Sequence, residues 1–157
     1  MSTIRSSSSA FKTIASATII AGALDILAAI LIYSIIMEQT TPSRICMSIA
    51  SGIFGKEAYS GGVPMVLTGL LLHFFIAFLF STFYYRIFPY LRMLRKQKLV
   101  CGILYGIFVW LVMNVGVLRI TFPKMPFPDP RSSLIGMSIL IVAVGIPISY
   151  IISANRR

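Results

Sequence analysis

The sequence predicts an all-α polytopic membrane protein: four transmembrane helices, with a short interfacial or re-entrant helix in the first outer loop. Three observations carry this prediction. Of 157 residues, 57% are hydrophobic and only 11% charged, whereas soluble domains carry about 25% charged residues. Four apolar runs, about Ile14–Met37, Val63–Tyr85, Leu99–Leu118 and Ser132–Ala154, are each long enough to cross a bilayer, which needs roughly 20 residues. The Lys and Arg residues gather in short segments beside these runs, as a topology signal requires. The runs use more than half the chain, so residues 1–157 read as one four-helix transmembrane domain.

Residues 1–12, with Ser6–Ser9, Arg5 and Lys12, read as a polar tail. The apolar run behind it is too long for a signal peptide, contains Asp25 and lacks a clear small-x-small cleavage site at a suitable distance, so it reads as an uncleaved first helix. Thr18, Ala21, Gly22, Asp25, Ala28 and Ala29 share one face at helical spacing. Small residues there, Gly22 among them, let helix backbones approach closely in lipid. The opposite face, with Ile20, Leu27 and Leu31, suits lipid.

The longest loop, 38–62, holds a helix of its own. Thr41 followed by Pro42 is a start signal: a capping hydroxyl, then a proline at the first helical position. Ile45, Ile49 and Ile53 form one i,i+4 line, and Gly55 ends the segment. The run Gly61-Gly62-Val63-Pro64 starts the second span. It is ordinary turn punctuation, and no GxxxxGK[ST] or GxGxxG pattern occurs. Ser48, Ser51, Gly52, Lys56 and Glu57 are candidates to line a pocket at the bundle mouth, together with Gly69, Trp110 and Asn114 from the spans.

The second span carries Gly69, His73, Ala77 and Ser81 four apart and ends in Phe83, Tyr84, Tyr85 and Arg86, a flank suited to the membrane interface. The second loop adds Arg92, Arg95, Lys96 and Lys98, a basic cluster that attracts anionic lipid head groups. In the third span Gly102-x-x-x-Gly106 signals close helix packing. Trp110 and Asn114 follow on the same line, and Asn114 can hydrogen-bond across a helix interface. Pro123, Pro126, Pro128 and Pro130 stiffen the third loop, and Pro147 predicts a kink in the fourth span.

Counting Lys and Arg gives nine on the side of the termini and second loop and five on the side of the first and third loops. The richer side is cytoplasmic, which places both termini inside. The net charge of +10 is thereby absorbed by topology, and nucleic-acid binding is not expected. Cys46 and Cys101 form no CxxC and fall at opposite membrane faces, so neither a disulfide nor a thiol redox motif is expected.

Asp25 and His73 are the two ionisable residues near the middle of spans, where such groups are costly and mark function by default. Antiparallel neighbours put them at similar depth, within reach of a shared hydrogen bond. Three roles stay open for the pair, structural, proton or ion handling, and catalytic, beside the alternative that the two make no contact. One His and one buried carboxylate do not make a usual metal site. A Ser-His-Asp set needs a serine beside the His, which Ser48 or Ser51 supplies only if the first loop dips into the bundle. No catalytic residue, metal or cofactor is assigned.

Leu24-Asp25, Ile49-Ala50-Ser51-Gly52 with Gly55, Ala58-x-x-Gly61-Gly62 leading to Gly69-Leu70-x-Leu72-His73, then Gly102-x-x-x-Gly106 and Asn114 run through most of the chain. On these motifs the chain resembles a family of small bacterial four-helix integral membrane proteins with no assigned function. The resemblance implies a multi-pass protein of the bacterial inner membrane, with the stretch Ile49–His73 as its signature, and supplies no substrate, activity or cofactor. Function therefore divides three ways: a non-catalytic accessory or scaffold protein, alone or with a homo-oligomer or membrane partner; a small channel or proton-coupled transporter using Asp25 and His73; or an intramembrane enzyme.

Overall fold

The computed structural model describes residues 7–124 and 126–155, where helix is the regular structure throughout and four helices are long and apolar enough to cross a membrane. Helix α1 spans Ser7–Ala29 and continues as a π-helical segment, Ile30–Ile36. The short α2, Pro42–Phe54, runs into a 3-10 turn, Gly55–Tyr59. Then come α3, Gly62–Ile87, and the single turn α4, Arg92–Lys96. Helix α5 spans Lys98–Leu111 and continues through a π segment, Val112–Val117, to Leu118–Thr121. Helix α6 spans Pro130–Leu140, a π segment Ile141–Gly145, and Ile146–Asn155. Arg5, Arg156 and Arg157, which enter the charge count, lie outside the described residues.

The element boundaries follow local chemistry. The Thr41 hydroxyl accepts the Arg44 N–H at 3.3 Å ahead of Pro42, and Gly55 stops α2 at φ 61°, a backbone conformation open to glycine. The start of α6 lies upstream of the predicted Ser132. The Asp129 carboxylate accepts the Ser132 N–H at 3.1 Å and Pro130 takes the first helical position, so the last loop proline opens a helix instead of extending the loop. Those bonds to Ser132 hold the exposed Asp129 carboxyl below its ordinary value. Helix α1 also begins before the predicted Ile14, drawing Ser9 and Thr13 into a helical i,i+4 hydrogen bond of 3.0 Å. Pro147 follows directly on the π segment Ile141–Gly145. Proline has no N–H and its ring crowds the carbonyl four residues back, and a widened π turn relieves both demands.

Helix α6 packs along α1 and α5, while α3 packs on α1 and carries α2 across its first turns. A close seam joins α5 to α6. A Cβ on Gly106 would lie 2.4 Å from Ile141 Cα, and one on Gly102 would lie 2.8 Å from Ile146 Cα. From the other side, Gly145 would reach the Gly102 carbonyl and the Gly106 amide. The two backbones are in direct contact there. Helix α2 meets α3 in the same manner: a Cβ on Gly69 would strike the Cys46 carbonyl, so Cys46 and Ala50 form the buried line of α2. The Ile45–Ile49–Ile53 line lies beside this packing face, and Ile53 is 65% exposed, because the close approach at Gly69 admits only small side chains.

The tight core lies at the basic end of the bundle, where Tyr84, Cys101, Tyr105, Ile148 and Ile152 cluster. Tyr84 donates to the Ser149 hydroxyl at 2.8 Å, Ser149 donates to the Lys98 carbonyl at 2.8 Å, and Tyr105 donates to the Phe80 carbonyl at 2.6 Å. Ser153 adds a 3.3 Å bond to the Leu94 carbonyl, tying α4 beneath α6. Tyr84 and Tyr85, expected at the interface, are therefore core residues. A phenol tolerates burial when its hydroxyl finds a partner, and Ser149 and the Tyr105 ring, edge-on at 4.7 Å, supply the surroundings of Tyr84.

The α5–α6 seam makes a sharp prediction for thermal unfolding in detergent. Gly106→Ala drives a methyl into the Ile141 backbone and costs about 1–3 kcal/mol of overpacking. Gly116→Ala, at a helical glycine with nothing within 4 Å of the added carbon, is neutral or stabilises by up to about 1 kcal/mol. Equal responses at the two glycines would contradict the seam.

Candidate functional site

At Gly22 α1 and α3 pack closely; a Cβ there would fall 2.8 Å from the Phe74 ring and 3.4 Å from Ala77 Cβ. With no side chain in the way, the Gly22 carbonyl is open to α3, and His73 Nε2 lies 2.8 Å from it. A carbonyl only accepts, so Nε2 carries the hydrogen of this bond. The imidazole also packs edge-on against Phe74 at 5.6 Å between ring centres.

Asp25 sits one turn along α1 from Gly22, on the same face, within electrostatic reach of His73. The imidazole nevertheless makes its hydrogen bond to the helix backbone, and among the described residues the carboxyl and the ring share none. The Asp25 face continues at i,i+4 through Ala29 to Tyr33, whose hydroxyl is also within electrostatic reach of Asp25. Beyond Tyr33 lies α6: a Cβ on Gly136 would fall 3.5 Å from both the Tyr33 hydroxyl and Trp110 Nε1.

Two clefts flank α2 at the end of the bundle opposite the basic loop. One, about 730 Å³, reaches inward to Ala29 and Tyr33 and is lined by Arg44, Ser48 and Tyr59. The other, also about 730 Å³, lies toward α5 and is lined by Ser51, Lys56, Leu118, Phe122 and Lys124, again with Ser48 and Tyr59. Neither is lined by Asp25 or His73, and the first stops one helical turn from Asp25.

The candidates named for a pocket thus separate. Ser48, Ser51 and Lys56 line clefts. Gly52 and Glu57 are exposed outside both, and Gly69 is covered by α2. Trp110 faces Gly136 and Tyr33 rather than a cleft. Asn114 turns back on its own helix, donating to the Trp110 carbonyl at 3.0 Å, and borders a small cavity of about 20 Å³ beside Arg119 and Pro128. The π segment beginning at Val112 leaves carbonyls without their usual α-helical partners, so an in-helix acceptor is close at hand. Ser48 and Ser51 likewise spend their hydroxyl hydrogens on the Ile45 and Ser48 carbonyls, at 2.7 Å each. Sequence reasoning overlooked Tyr33, Tyr59 and Lys124. For Tyr33 a signal existed: Asp25, Ala29 and Tyr33 continue one i,i+4 stripe. For Tyr59 and Lys124 none did, because loop residues acquire a common cavity only through the fold.

The His73–Gly22 bond has a direct test in a stability assay. His73→Ala removes a half-buried donor and its packing and costs about 1–3 kcal/mol. Gly22→Ala is destabilising to a similar degree through Phe74. His73→Gln, which keeps a donor, recovers part of the loss. Identical unfolding curves for all three variants and the parent chain would refute the contact.

No protein-family model, curated protein or solved structure matches this chain.

Proposed function

We propose that the chain is a non-catalytic integral membrane protein, a small accessory or scaffold subunit of a bacterial inner membrane, with Asp25 and His73 serving the helix assembly. The observation that carries this reading is the His73–Gly22 hydrogen bond: the one imidazole of the sequence is committed to a backbone carbonyl of the neighbouring helix. A ring so placed fixes the rotation of α3 against α1. The nine-to-five cation asymmetry supports an orientation with both termini cytoplasmic, and it brings the basic second loop to anionic head groups of the inner leaflet. Self-association or a membrane partner suits the scaffold role.

One observation favours a second reading, a channel or proton-coupled transporter. The cleft lined by Ala29 and Tyr33 ends one turn from Asp25, and a rearrangement of Tyr33 would join them. An intramembrane enzyme draws less support, since the Ser48 and Ser51 hydroxyls are bonded within α2 and neither meets His73.

Proteoliposomes carrying an internal pH dye separate the first two readings. The scaffold reading expects no proton flux above empty vesicles, with Asp25→Asn folded like the parent. Flux that Asp25→Asn abolishes in a folded protein establishes transport instead. Orientation is tested by single cysteines in a chain stripped of Cys46 and Cys101, both buried and free. A cysteine at Arg92 should resist an impermeant thiol reagent in intact cells and one at Pro126 should react; the reverse pattern inverts the topology.

A further inference from the structure

The cleft between α2 and α5 has the composition of a site for an amphiphile. Its two lysines come from separate segments, Lys56 from the 3-10 turn after α2 and Lys124 from the turn after α5. Leu118, Phe122 and Pro123 supply an apolar wall, and Tyr59 and Thr121 add hydroxyls. Among the described residues that line it there is no carboxylate. The neighbouring cleft repeats the sign with Arg44, and Ser48 and Tyr59 belong to both.

Depth adds to composition. The spanning rod of α5 covers Lys98–Thr121, 24 residues, or roughly 36 Å at 1.5 Å per residue, against about 30 Å of hydrocarbon. Leu118–Thr121 is its last turn, so the cleft lies where acyl chains give way to head groups. Ile120, 83% exposed on that turn, faces outward into the same zone. Two ammonium groups at head-group depth above an apolar wall complement a molecule with a negative head and an apolar body. A free inorganic anion would gain nothing from Leu118 and Phe122.

We propose that this cleft binds one anionic phospholipid, its phosphate held between Lys56 and Lys124 and the first part of a chain lying along Leu118 and Phe122. The site is distinct from the diffuse attraction of the basic second loop at the other end of the bundle. It requires only that the chain be embedded in a membrane, and it holds in either orientation and for either functional reading above.

The full chain in detergent is titrated with short-chain phosphatidylglycerol, phosphatidylcholine and inorganic phosphate, with binding followed by native mass spectrometry. Phosphatidylglycerol should bind most tightly, and Lys56→Gln with Lys124→Gln should weaken it roughly 30-fold, while Lys96→Gln with Lys98→Gln leaves the tight site unchanged. Unaltered affinity in a folded Lys56/Lys124 variant overturns the site, as does equal binding of phosphatidylcholine. Inorganic phosphate that competes at equal affinity makes it a free-anion site instead. A second measurement needs no variant: phosphatidylglycerol bearing a photoreactive group near its head should cross-link the unaltered chain at 55–59 and 118–124. Adducts confined to 92–98 overturn the proposal.

Discussion

Direct backbone contact between α5 and α6 is the constraint on which the rest of the bundle depends. In a hydrocarbon solvent, helices gain no hydrophobic free energy by associating, so they hold together by dispersion at close range and by hydrogen bonds that lipid cannot replace. Gly102, Gly106 and Gly145 provide the first. They also set the register of α6, and register is what delivers Ser149 to the Lys98 carbonyl and the Tyr84 hydroxyl. The π segment Ile141–Gly145 serves the same seam: it brings Gly145 against α5 and absorbs the disruption of Pro147 in one place.

The bundle is correspondingly uneven along its length. At the basic end, tyrosines from α3 and α5 interlock, and the Tyr84 and Tyr105 hydroxyls each find an acceptor on another helix. At the α2 end the helices separate around two clefts, and α2 is fastened chiefly by the contact of Cys46 with Gly69. A firm base and an open mouth place any ligand chemistry at the mouth. Local openings should also begin there, where fewer buried side chains oppose them.

Asp25 and His73 connect these two regions. A lone carboxyl and a lone imidazole at mid-bilayer depth are both expensive, and the fold treats them differently. The imidazole is satisfied by a backbone carbonyl that a bare glycine leaves open, so its position is a consequence of helix packing. The carboxyl stands one turn from a cleft and on a stripe with Tyr33, so it is the more adaptable of the two. Scaffold and transport readings differ in whether that adaptability is used.

The sequence by itself determined the number of spans, their approximate limits and the short helix of the first loop. These follow from local properties: apolar length, a capping threonine before a proline, a glycine stop. It also marked the residue types that cannot be filler, Asp25 and His73, and the small-residue stripes. Only the tertiary structure decided what each of these meets. Tyr84 reads as an interface aromatic until Ser149 is placed beside it, and Asn114 reads as a cross-helix donor until a π turn offers a nearer acceptor. Lys124 joins Lys56 across a cavity although the two lie far apart in the chain. The physical reason is the same in each case. Helix formation and span length are set by a residue's own chemistry and its near neighbours. Hydrogen-bond partners and shared cavities depend on helix rotation and register, which backbone contacts at a few glycines set at a distance.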